Sequence, residues 1–234
     1  MAFSLKVNKD KAALRDTGSG PSFIATSGVY DVTVNFVSLD ETDKGAVRFN
    51  MNVNYKGNDQ AIYGSIIMNK DGSENKIGKE LINKLLVVAG LEAGAEPTID
   101  TETHKVGKDN KEQEFTVITD LSGLDIKIQV KEEFKKYEGK VTRSLVPYNF
   151  FRADGATAAE IAQSEEDKSV KFGEQLAKVL AMEATTKPSY RADGANAAPT
   201  EDEVKAYFAE KSGKAPAAAT VAVPKKNPFK KELH

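Results

Sequence analysis

Leu124–Arg152 reads LDIKIQVKEEFKKYEGKVTRSLVPYNFFR. Leu124, Ile126, Ile128 and Val130 alternate with Asp125, Lys127, Gln129 and Lys131, the period-two pattern of a strand with one buried and one wet face. Lys140–Phe151 returns after Tyr137-Glu138-Gly139, where Gly139 suits a tight reversal. The stretch predicts a long hairpin. It carries Lys127, Lys131, Lys135, Lys136, Lys140, Arg143 and Arg152, interleaved with Phe134, Tyr137, Tyr148, Phe150 and Phe151. Cations track a phosphate backbone and aromatic rings stack on unpaired bases, so this mixture suits a groove for single-stranded nucleic acid. For this stretch alone a solvated hairpin whose aromatics are core is the commoner meaning of such a mixture.

Working back toward the N-terminus, Tyr30, Val32, Val34 and Phe36 alternate with Asp31, Thr33 and Asn35. In the next run Val47, Phe49, Met51, Val53 and Tyr55 alternate with Arg48, Asn50, Asn52, Asn54 and Lys56, again a strand. The polar face of that run holds no acidic residue. Asparagine is a poor strand former, so a strand that carries three on one face either uses their donors or simply has a polar outside. Gly57-Asn58-Asp59 predicts a turn, and Gln60–Met68 a third strand. Ile77, Leu81, Leu85 and Val88, with Ile82, Leu86 and Ala89, then recur at helical spacing up to a stop at Gly90.

The predicted order, β-β-β-α-β-β, is that of an OB fold, a five-stranded and partly open barrel that binds oligonucleotides or oligosaccharides across its second and third strands. The fold class expected is therefore mainly β, a five-stranded OB-fold barrel with a helical C-terminal extension and a disordered tail. Residues 92–123, between helix and hairpin, are expected to form a long functional or mobile loop, either an arm over the groove or an ornament.

Outside this region the composition shifts. Residues 1–27 read as a leader that holds an alternating piece, Phe3–Val7, and a Gly-rich link; 28–152 form the expected nucleic-acid-binding domain. In 153–211, Phe151–Ala159 (FRADGATAA) is echoed by Tyr190–Ala198 (YRADGANAA), differing at two of nine positions. Each copy precedes an acidic helix-prone segment, 158–182 and 201–211. The repeat is either a docking turn or a recurring turn-and-cap unit. Residues 212–234 are Ala- and Pro-rich and end with Lys225, Lys226, Lys230 and Lys231, which predicts a disordered basic tail.

The 234 residues suffice for one ample core or two small ones, with 40% hydrophobic and 8% aromatic content. The net charge of -2 is segregated along the chain, so it does not exclude a nucleic-acid binder. There is no cysteine, and His104 and His234 are the only histidines; disulfides and thiolate metal sites are excluded, and a Ser-His-Asp triad has little material. No P-loop or dinucleotide turn occurs. Glu132 and Glu133 adjoin on a strand, so they point to opposite faces and cannot share a reacting centre. Neither an enzyme nor a cofactor is expected. No apolar run reaches the length of a signal peptide or membrane span, so a soluble intracellular protein without membrane contact is expected.

The block SGVYDVTVNFV from Ser27 and IGKELINKLLVVAGL from Ile77 resemble a group of small phage proteins encoded among replication and recombination functions. Ser144-Leu145-Val146-Pro147-Tyr148 resembles the pentapeptide ending a barrel strand in the single-stranded DNA-binding proteins of short-tailed phages. The resemblance covers roughly residues 28–150. It implies an OB-fold protein that coats single-stranded DNA during phage replication, recombination and repair in the cytoplasm of an infected bacterium. Replication or recombination proteins are its implied partners. Such proteins usually end in an acidic tail with a terminal aromatic that recruits replication enzymes. This chain ends basic, so that mode of recruitment is not implied.

Sequence and resemblance together nominate Arg48, Asn50, Asn52, Lys56 and Tyr63 from the first sheet. From the hairpin they nominate Lys127, Lys131, Lys135, Lys136, Tyr137, Arg143 and Tyr148. The alternative is a non-enzymatic assembly or adaptor protein working through the helices that follow the two RADGA copies.

Overall fold

The computed structural model describes residues 23–212 except 108 and 195. The strand expected at Phe3–Val7 and the basic tail from 213 onward lie outside the described residues. Those described gather in two compact units, one drawn from 23–133 and 143–189, the other from 134–142 and 190–212.

The strands β1 (Gly28–Glu41), β2 (Val47–Tyr55) and β3 (Asn58–Met68) lead into α1 (Lys76–Val88), in the expected order. Then come β4 (Ile99–Val106), β5 (Lys111–Ile118), β6 (Asp125–Tyr137) and β7 (Lys140–Arg152). The chain continues through α2 (Ala158–Glu166), α3 (Glu174–Ala181), β8 (Ser189–Tyr190) and α4 (Glu201–Lys211). The protein is mainly β, and the pairs β1–β2, β1–β5, β1–β6, β2–β3 and β4–β5 are antiparallel.

β1 organises the sheet because it is long enough to be shared. Thr33–Glu41 pairs with β2 on one edge, while Gly28–Thr33 pairs with β6 on the other, where Ser38 also meets Val117 of β5. β5 and β6 thus follow one another along a single edge of β1, separated by a 3-10 turn at Thr119–Leu121. The path β3-β2-β1-β6-β7 is consistent with an OB-like fold. It departs from the expected five-stranded barrel in two ways. The sheet has eight strands, and among the described residues β3 does not pair with β7, so the sheet is not closed.

The segment 92–123 differs from the expected loop in carrying two strands. β4 and β5 form a hairpin in continuous register from Ile99 opposite Ile118 to Val106 opposite Lys111. The half-buried face of β4 is made by Glu102, His104 and Val106, and β5 is exposed from Lys111 to Glu114, so the apolar alternation that betrays a half-buried strand is missing.

The core lies on one face of the sheet. Val32, Val34 and Val37 of β1, Phe49, Met51 and Val53 of β2, Ile62 of β3 and Ile126, Ile128 and Val130 of β6 enclose Leu81, Ile82, Leu85 and Val88 of α1. The helix starts where Asn75 accepts the Gly78 N–H at 3.1 Å. It lies directly on β3 because Gly78 has no side chain; a Cβ there would stand 1.9 Å from the Ile66 carbonyl oxygen.

β6 is not half wet, as its alternation predicted. From Ile128 to Phe134 all but Lys131 are buried, Gln129, Glu132 and Glu133 included. The chain at 183–189 covers this strand: Ser189 Oγ donates to the Glu132 carbonyl at 3.4 Å, and Lys131 donates to the carbonyls of Ala184 and Lys187.

The helix-prone stretch 158–182 is broken in two. The Asp167 carboxylate accepts from Ser169 N and Oγ at 2.9 and 2.7 Å, a local turn that competes with helix, and Gly173 adopts φ +85° before α3. Both RADGA copies lead to helices capped alike. Thr157 and Glu160 form a reciprocal capping box on α2, and Thr200 and Glu203 do so on α4. In the first copy Arg152 grips Asp154 through Nε and Nη2, the latter at 2.7 Å, and its guanidinium lies 4.7 Å from the Phe172 ring centre.

The second unit has its own aromatic cluster. Phe134, fully buried, meets Tyr190 at 5.9 Å, Phe208 at 5.8 Å and Tyr207 at 6.3 Å between ring centres.

Candidate nucleic-acid interface

The face of β1-β2-β3 opposite the core carries polar groups in rows set by the strand register. One row is Ser38, Asn50 and Tyr63; the next is Phe36, Asn52 and Ala61; Asp40 and Arg48 begin a third. A bulge between Val34 and Phe36 places both Asn35 and Phe36 on this outer side, whereas strict alternation would bury Phe36 with Val32 and Val34.

Phe36 is nevertheless covered, because the β4–β5 hairpin lies over it. His104 stacks on it with ring centres 4.0 Å apart, and Phe115 sits at 5.0 Å. His104 Nε2 is 2.7 Å from Glu102 Oε2. These contacts are not legible in the sequence, since a bulge has no composition of its own and the arm has no apolar alternation.

The asparagines divide into two kinds. Asn50 is engaged at both ends of its amide: its Nδ2 donates to Asp40 at 2.5 Å and its Oδ1 accepts the Gly64 N–H at 3.1 Å. Asn54 donates to Asp59 at 2.7 Å and accepts the Gly57 N–H at 3.1 Å. Asn52 is half used, for its Oδ1 accepts from Asn35 Nδ2 at 2.6 Å, while its own Nδ2 has no partner among the described residues.

Beside them Tyr63 is 55% exposed. Arg48 has no hydrogen-bond or ion-pair partner among the described residues. Lys56 is exposed in a two-residue turn with φ +51°, followed by Gly57 at +83°, the geometry of a primed hairpin turn. The turn therefore falls at Lys56-Gly57, and Asn58 and Asp59 already belong to β3. Lys56 Nζ stands 5.3 Å from the Tyr55 ring centre. A shallow cleft of about 340 Å³ beside this turn is lined by Asp31, Thr33 and Asp125 as well as Lys56, which makes it a poor place for phosphate.

The hairpin cations are engaged within the protein. Lys127 is bonded to Asp31; Arg143 is bonded to Glu132 and to the Ala25 carbonyl. Lys131 is held by its two carbonyls, and burial lowers its pKa. In the second unit Lys136 pairs with Glu203 at 2.7 Å, the hydrogen bond that holds the Glu203 carboxyl below its ordinary range. Lys135, in the same unit, is half-buried and also engaged. Tyr137 and Tyr148 are 58% and 60% exposed, with Lys131 Nζ 5.8 Å from the Tyr148 ring centre. The face of β1-β2-β3 thus brings Arg48, Asn50, Asn52 and Tyr63 together.

Among the described residues no cluster of His, Asp and Glu is arranged to hold a metal ion, and no helix is long and apolar enough to cross a membrane. No protein-family model matches the sequence, and no curated protein matches it. Among solved structures, yeast RPA bound to ssDNA matches with 10% identity and a TM-score of 0.25, covering 72% of this chain and 99% of that one. A likeness that slight carries no weight for fold or function.

Proposed function

We propose that this protein binds single-stranded DNA without strong dependence on sequence, on the outer face of β1, β2 and β3, and that it does so without catalysis. The observation that carries the reading is Tyr63: an aromatic residue more than half exposed on a sheet face that also carries the Arg48 guanidinium and the Asn52 amino group, neither of which has a partner among the described residues. An exposed ring accepts a base by stacking, and the cation and amide donors meet the acceptor-rich backbone and base edges. Duplex DNA hides its base faces and offers nothing to Tyr63.

Lys56 extends this surface along the β2–β3 turn. Tyr148 and Tyr137 are further stacking positions. The cations Lys127, Lys131, Lys135, Lys136 and Arg143 are secondary contacts, since each is already engaged within the protein. Asn50 supports the surface by fixing Asp40 and the Gly64 backbone. In a cell the reading corresponds to covering and protecting exposed single strands during phage DNA replication, recombination and repair, in the cytoplasm of the infected host and alongside replication or recombination proteins.

The test is a fluorescence-anisotropy titration with labelled oligo-dT and with matching duplex, at several salt concentrations. Tight binding to the single strand, weak binding to duplex and a steep loss with salt support the reading. In Arg48→Ala the slope of log affinity against log salt should fall by about 0.7, the value for one single-strand phosphate contact. No binding of oligo-dT at low salt overturns the proposal.

A further inference from the structure

Asn52 owes its orientation to a residue that it does not touch. Asp59 is a carboxylate and only accepts hydrogen bonds, so the Asn35 atom 3.0 Å from Asp59 Oδ1 must be the amide nitrogen. The same Asn35 Nδ2 lies 2.6 Å from Asn52, so Asn52 must answer with its oxygen. Its two remaining N–H groups then point away from the network, and they are donors only. Asp59 is itself held by Asn54, whose Nδ2 donates to the same Oδ1 at 2.7 Å. The sense of the Asn52 amide is therefore set by the chain Asp59, Asn35, Asn52, with Asp59 and Asn35 as positioning residues.

The register places this amino group where a stacked base would present an edge. Tyr63 faces Asn50 and Ala61 faces Asn52, so Tyr63 and Asn52 are diagonal neighbours on the same face, about 7–8 Å apart at the backbone and within reach of a base lying on the ring. Ala61, directly opposite Asn52, is small and exposed and leaves that space open. Uracil and thymine carry a carbonyl oxygen at position 4, an acceptor; cytosine carries an amine there, a donor. At position 4 an amide that can only donate pairs with the first and opposes the second; the ring N3 has the opposite sense, a donor in uracil and an acceptor in cytosine, so the preference requires Asn52 to meet position 4.

We propose that Asn52 makes this surface prefer keto pyrimidines, thymine or uracil, over cytosine. The inference rests on the single-strand reading above and adds to it a base preference. Deoxyuridine and deoxycytidine oligonucleotides are the suitable pair, because neither base carries the C5 methyl and the two differ at the edge in question.

Anisotropy titrations with labelled oligo-dU and oligo-dC of equal length should give wild-type affinities that differ roughly threefold to tenfold in favour of dU, the span expected of one hydrogen bond gained against a donor clash. In Asn52→Ala the two affinities should become equal. Asn52→Asp, which turns the donor into an acceptor, should reverse the preference. Asp59→Ala, distant from the base, should reduce the ratio by freeing the Asn35 amide. A ratio of affinities is unaffected by the fraction of a variant that folds. Equal wild-type binding of dU and dC, or an unchanged ratio in Asn52→Ala, overturns the base preference and leaves single-strand binding standing. Failure to bind either oligonucleotide overturns both.

Discussion

Phe36 of β1 and His104 of β4 stack face to face with ring centres 4.0 Å apart and ring planes 16° from parallel. This contact converts an outward-pointing phenylalanine into a 5% exposed one and ties the β4–β5 hairpin to the face that also carries Asn52 and Tyr63. The arm thereby borders the proposed interface.

Truncating Phe36 removes the ring that His104 and Phe115 cover. Phe36→Ala should lower stability by about 3 kcal/mol, at the low end for a buried phenylalanine because part of its cover is a two-stranded arm able to collapse. Urea unfolding followed by circular dichroism measures it. His104→Ala should lower stability less than Phe36→Ala does, and a larger loss for His104→Ala would show that the arm is anchored by the imidazole instead.

Gly78 offers a sign test for the seating of α1. Glycine to alanine within a helix ordinarily stabilises by about 1 kcal/mol. Here the added methyl would meet the Ile66 carbonyl at 1.9 Å, so Gly78→Ala should destabilise by roughly 1–3 kcal/mol, the range for overpacking. A rise in melting temperature would mean that α1 stands further from β3.

Glu160 links the first RADGA copy to pH. Burial pushes its pKa upward, but hydrogen bonds from the Thr157 and Gln175 backbone, the Thr157 hydroxyl and the Gly173 backbone outweigh it, and the pKa is lowered on balance. A carboxyl whose folded pKa is depressed contributes stability above its unfolded pKa and loses it as the pH falls through the folded one. Wild-type stability should therefore decline as the pH drops below about 4.3, the ordinary glutamate value. Glu160→Gln should be less stable near neutrality and show a shallower decline in that acid range. Parallel curves for the two proteins would remove Glu160 as the cause.

The aromatic residues should separate into two groups when truncated. Tyr63→Ala should weaken single-strand binding by about 1–3 kcal/mol, the value of one stacked base, with little change in melting temperature. Phe134→Ala should do the reverse for stability, losing about 3–5 kcal/mol from the aromatic cluster of the second unit. A stability loss in Tyr63→Ala comparable to that in Phe134→Ala would identify Tyr63 as a packing residue.

What the sequence by itself determined is local and periodic. The alternation from Val47 to Tyr55 specifies a strand and its buried face, and the spacing of Leu81, Ile82, Leu85 and Val88 specifies the helix that fills the core. Leu124–Arg152 specifies a hairpin, because side-chain period and turn chemistry are properties of neighbours along the chain. Tertiary structure decided where alternation stopped being a guide. The bulge that turns Phe36 outward is stabilised by His104 and Phe115 from an arm that no apolar pattern announced. Lys127, Lys131, Lys136 and Arg143 look in the sequence like free cations; only folding brings Asp31, the Ala184 carbonyl, Glu203 and Glu132 to them. The direction of the Asn52 amide likewise depends on Asn35 and Asp59 from the two flanking strands. A residue's charge and hydrogen-bonding capacity are written in its identity, but whether they are already spent is set by partners distant along the chain, and it is the unspent ones at Arg48, Asn52 and Tyr63 that define the proposed site.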